Sequence, residues 1–218
     1  MMSKKSFSPN TFIGDMGQMP EYVSHWYACK DLELCLEKIV EGFADLRFFL
    51  PLLVEYSDGE ETGFVLDTFA GEKILLAFSN IEDFSKVFPT ARPMPILGKD
   101  LVSLALRLQV GRILLDKDNK NLLIGRQAVY CMSAGSVWTP AWKNEQLANK
   151  LGEVLKQIEA AKGYQIRLGK RCETEILIAF DCDKDEVSML VEEVKEILSH
   201  FNELLQSTDS IEIIPFKA

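Results

Sequence analysis

LRFFLPLLVEY (46–56), GFVLDTF (63–69) and KILLAFS (73–79) are three β-rich runs separated by turn chemistry, Ser57-Asp58-Gly59-Glu60 and then Ala70-Gly71-Glu72. Val, Ile, Leu, Phe and Thr suit a pleated, half-buried surface, and Asp-Gly or Gly-Glu between such runs marks tight hairpin turns. Short turns cannot carry a parallel crossover, so this stretch predicts an antiparallel meander. The first run is apolar on both faces and is expected to be buried.

Outward from the meander the period changes from two to 3.6. Asn80 is placed to cap a helix over 81–88, and Pro89, Pro93 and Pro95 are expected to break the chain after it. Asp100 is expected to cap the next helix, with Leu101, Leu104, Ala105 and Leu108 as its buried face and Gly111 as its stop. Two strands, 112–117 and 121–124, flank an Asp118-Asn119-Lys120 turn. Upstream, Leu32, Leu36, Ile39, Val40 and Phe43 line one face of a helix beginning after Asp31. Pro20 suits the first turn of a shorter helix.

Residues 131–138 are small and irregular, and a domain boundary is expected there. Beyond it, Thr139-Pro140 reads as a helix start, followed by a hairpin (164–168 and 173–180), a long helix over 187–205 and a last strand over 211–216. The expected organisation is an extended arm (1–19), an α+β domain (20–132) with an antiparallel sheet and packed helices, and a smaller α+β domain (139–218).

These parts resemble, in order, the SseB family of bacterial proteins. The likeness rests on a helix running into LRFFLPL, a hairpin, ILLAFSNIEDFSKVF (74–88), GKDLVSLAL (98–106) and a strand pair ending in LLIGRQAV (122–129); AFSNIEDF and PILGKDL are its most specific pieces. The ending IEIIPFKA (211–218) is similar to the Pro-Phe finish of the family's C-terminal domain. Asp116-Lys117-Asp118-Asn119 stands where the family often has an Asn-Pro-Gly turn, and Lys217 stands where it has tyrosine. The family has no agreed catalytic residues, so the resemblance implies a fold more than a function.

Composition excludes several partners. The 218 residues are 47% hydrophobic and carry a net charge of -9, a field that repels phosphate backbones and anionic lipid. Arg167, Lys170 and Arg171 form the one compact basic cluster and read as a solvated strand edge. No apolar run has the length of a membrane span. Five cysteines without a CxxC pair argue against a disulfide framework and for a cytoplasmic setting.

Chemistry-bearing residues are sparse. His25, Cys29 and Cys35 fall short of the four ligands of a closed zinc site. Asp181, Asp183, Asp185 and Glu192 match calcium-loop positions, but Glu186 replaces the required glycine, and a cap by Asp183 or Asp185 explains them better. Gly98-Lys99-Asp100 is no phosphate loop, and Ser133-Ala134-Gly135-Ser136 is no nucleophile elbow. No cofactor, metal or catalytic residue is therefore expected. Trp138, Pro140 and Trp142 at the joint are either packing or a hydrophobic rim for a partner chain, with Met94 on the proline-rich loop as a further contact.

The resulting expectation is a non-enzymatic, cytoplasmic, regulatory protein that binds another protein, a homo-oligomer being one form of that. The alternatives are a sensor holding an amino-acid-like metabolite between the domains and a thiol enzyme using Cys131 or Cys182.

Overall fold

The computed structural model describes residues 12, 14–57, 59–69, 71–170 and 172–218. Asp58, Ala70 and Arg171, named above, and residues 1–11 and 13 of the expected arm lie outside the described residues. The fold is α+β, with eight α-helices and three sheets among the described residues.

α1 (Glu21–Tyr27) begins after Pro20, whose carbonyl accepts from the Ser24 amide, and Asp31 caps α2 (Leu32–Gly42) by accepting a hydrogen bond from the Leu34 amide. A 3-10 turn, Phe43–Asp45, leads into β1 (Arg47–Ser57), which pairs antiparallel with β2 (Gly59–Phe64). The expected meander stops there. β3 (Leu66–Phe69) and β4 (Glu72–Ala77) form a second hairpin in a different sheet, because the chain leaves the ladder at Val65.

Phe49 and Phe78 exchange backbone hydrogen bonds of 2.8 and 2.9 Å, so an isolated bridge joins β1 to the end of β4. Residues 47–50 of β1 and 74–77 of β4 are covered on both sides, whereas Leu53, farther along the run expected to be buried, is 43% exposed. Phe48, Leu50, Leu75 and Ala77 enter one cluster with α2, while Phe49, Ile74, Leu76 and Phe78 enter another with Phe84. This two-sided burial is why 46–50 and 74–78 are almost uninterrupted apolar runs.

Asn80 caps α3 (Ile81–Val87) through the Asp83 amide. The prolines that follow do not simply break the chain: Arg92–Leu97 is β5, an edge strand antiparallel to β1. Proline is tolerated on an edge, where an amide would face outward. α4 (Gly98–Arg107) starts at Gly98, two residues before the expected Asp100 cap, and stops before Gln109, whose φ is 56°. Only glycine fits at 98, where an added Cβ would lie 1.8 Å from the Phe43 carbonyl oxygen.

β6 (Ile113–Leu115) runs parallel to β4 and antiparallel to β7 (Leu122–Ile124). Between them Asp116, Asp118 and Asn121 all have positive φ, and the buried Asp116 carboxylate accepts from the Ser79 amide and the Tyr27 hydroxyl at 2.7 Å each. Burial raises the Asp116 pKa despite those hydrogen bonds.

α5 (Arg126–Ser133) occupies residues read above as a strand end and an irregular boundary. Its inward residues Ala128 and Val129, with Met132 one turn on, join Ile124 in the first cluster. The helix start expected at Thr139-Pro140 is a 3-10 turn, Ala141–Lys143; Asn144 caps α6 (Glu145–Leu155) instead.

β8 (Ala161–Leu168) and β9 (Thr174–Phe180) form the expected hairpin. The long helix is divided into α7 (Val187–Ser199) and α8 (Asn202–Ser207), because the break at His200 and Phe201 lets Phe201 and Leu204 both enter the core. Neither Asp183 nor Asp185 caps α7; Glu186 occupies that position without a side-chain cap. β10 (Ile211–Lys217) pairs parallel with β9.

Residues 14–19 lie against the body rather than extending from it. Asp15 receives the Arg47 guanidinium at 2.6 Å, the Gln18 carbonyl accepts from the same group, and the Gly17 carbonyl accepts from Ile81. Among the described residues no helix is long and apolar enough to cross a membrane.

Candidate functional site

The joint between α5 and α6 is shaped by one glycine. Gly135 has a φ of +63°, with the Gly135 and Ser136 amides donating to the Met132 and Cys131 carbonyls, the hydrogen-bond pair of a Schellman stop. The stop turns the chain across the end of α2. It leaves Val137 90% exposed.

Behind Val137 lies a groove of about 500 Å³ between residues 135–143 and one face of α2 with its 3-10 extension. Glu37, Val40, Glu41 and Ala44 supply that face at helical spacing; Met132, Val137, Trp138 and Pro140 supply the apolar wall opposite. The groove is within the size range of ligand pockets and is mostly apolar with a few charges.

Of the residues singled out in the sequence, Trp138, Pro140 and Trp142 come together here. The Trp138 and Trp142 rings meet edge to face with centroids 5.9 Å apart. Pro140 is buried, and Trp142 donates its indole N–H to Glu37 Oε1 at 2.8 Å. Lys143 pairs with the other Glu37 oxygen. Trp142 is thus an anchor of the joint, whereas Trp138 faces the groove. Met94 does not join them: it sits on β5 opposite Leu50, packed against the first core cluster.

The feature that a search for chemistry overlooks is the polar stripe of α2. Glu33, Glu37 and Glu41 repeat every four residues and so share one face. Glu33 accepts from the Leu168 amide at 2.9 Å and Glu37 holds Trp142 and Lys143, so two of the three fix residues from beyond the joint. Glu41, the third, has a side chain 64% exposed and meets Lys38 in a surface pair. The signal was the spacing of acids rather than of apolar residues.

A second contact region joins the starts of β6 and α5 to the loop before β10. Arg112, 4% exposed, is 2.6 Å from Asp209 and 3.0 Å from Glu72, and Arg126 also meets both acids.

The remaining candidates are dispersed. His25 packs edge to face on Trp26, and His200 ends α7. The five cysteines are free. Burial raises the pKa of the Cys35 and Cys172 thiols, and desolvation with the nearby Glu186, Asp183 and Asp181 carboxylates raises that of Cys182, so none of these three is an activated thiolate. Among the described residues, the one group of three potential metal ligands within reach of each other is Glu173, Glu175 and Glu212, and Arg167 lies 2.5 Å from Glu175. That pairing makes the Arg167 end of the basic cluster part of a cross-strand ion pair. No family model matches the chain, and no curated protein or solved structure gives a significant match.

Proposed function

We propose that this chain is a non-enzymatic protein that binds another protein through the groove between α2 and residues 135–140. The observation that carries the proposal is Val137, 90% exposed beside the apolar wall of the groove. An aliphatic side chain held out by a defined turn, rather than tucked into the adjacent cavity, is what a docking surface requires. Burying it would contribute about 1.5–3 kcal/mol to a complex. Five unpaired cysteines fit the cytoplasm.

The test is affinity capture from the source lysate with the wild-type chain and with Val137→Glu. A partner retained in stoichiometric amount by the wild type and lost by the variant is the expected result. Equal retention by both would remove the groove from the proposal.

One observation favours a second reading, a sensor for an amino-acid-like metabolite: the groove lies at the joint and has the volume of a small-molecule pocket. A thermal-shift screen with amino acids separates the two readings, since a ligand of the native state raises Tm.

A further inference from the structure

Resting on the reading of the groove as a protein-binding surface, we propose that its occupant is a basic, amphipathic peptide segment of another protein. The charges around the groove set its polarity. Glu37 is already engaged by Trp142 and Lys143, which neutralises that cation from the partner's side. Glu41 is exposed and held only by an i,i+3 pair with Lys38, an arrangement that contributes little and exchanges readily. Asp45, the residue after Ala44, is also exposed. Three acids therefore stand against two lysines at this end of α2, within a chain of net charge -9. An acidic or phosphorylated segment would meet repulsion both locally and at long range, whereas lysine or arginine would be steered toward the groove.

The apolar requirement is independent of the charge. Val137 and Trp138 line the groove together with Val40 and Ala44, so a segment that offered charge alone would leave this surface wet. A peptide with apolar side chains on one face and a cation beside them matches both features. The indole of Trp138 adds a face suited to an approaching guanidinium.

A displayed library of random 12-residue peptides, selected on the immobilised full chain, tests the inference. Selection should enrich peptides that carry net positive charge and several apolar residues. Their recovery should fall at least tenfold on Val137→Glu and at least tenfold on the double variant Glu41→Lys, Asp45→Lys, and the wild-type recovery should decline with added salt. Circular dichroism on each variant confirms that it is folded. Enriched peptides that are neutral or acidic, or that bind the double variant equally well, overturn the charge assignment and leave the protein-binding reading standing. Failure to enrich anything on the wild type beyond the Val137→Glu control overturns both. Peptides that match this chain's own sequence assign the groove to a second copy and overturn the foreign partner.

Discussion

At one side of the molecule Arg112 lies buried between Asp209 and Glu72, with the backbone so close that a Cβ on Gly125 would come 3.0 Å from the Asp209 carboxylate. At the other side Glu37 also joins distant parts of the chain, yet a groove and an exposed valine remain beside it. Both contacts use a carboxylate to bind a cation across more than 90 residues of sequence. The first buries its central Arg112 and most of the Asp209 side chain. The second fixes the residues around it and keeps one apolar wall uncovered, and that difference separates a contact that serves stability from one that serves recognition.

Four substitutions test this contrast. Asp209→Ala strands part of a buried guanidinium charge and should lower unfolding stability by about 3 kcal/mol, toward the low end for a broken buried pair because Glu72 still meets Arg112; urea denaturation measures it. Glu37→Ala removes the acceptor for the Trp142 indole and should cost about 2 kcal/mol, with a shift in tryptophan emission as the joint loosens. Gly135→Ala forces an alanine into the left-handed region at the Schellman stop and should cost about 1 kcal/mol, read from the urea midpoint. Val137→Glu should change stability by less than about 0.5 kcal/mol, since nothing buried is lost, while abolishing partner capture. A large loss of stability in the last variant would place Val137 with the closed contact and end the comparison.

The helix start at Asp31, the cap at Asn80, the burial of the first half of the 46–56 run, and the order helix, hairpin, helix, strand after the joint were legible because each depends on local side-chain chemistry. What was not legible depends on distant partners. The division of the meander rests on the chain changing sheets at Val65, so that β3 and β4 join β6 instead of β1, and α5 takes residues whose short apolar pattern suits a strand as well. At the joint, Trp138, Pro140 and Trp142 could be named from the sequence because large aromatics there must either pack or bind. Val137 could not, since its exposure follows from the turn at Gly135 and not from its own identity.

The prolines of β5 bear on self-assembly. Phe49 directs its amide to Phe78 and away from β5, so Pro95 opposite it faces no donor that lacks a partner, and Pro93 opposite Pro51 has the same parity. The missing N–H groups therefore fall on the outer border of the sheet. A strand arriving there would find gaps at alternate positions and could not extend the ladder, which makes this border a poor template for fibrils or for edge-to-edge dimers. Two residues that read as a break in the chain thereby keep the sheet finite.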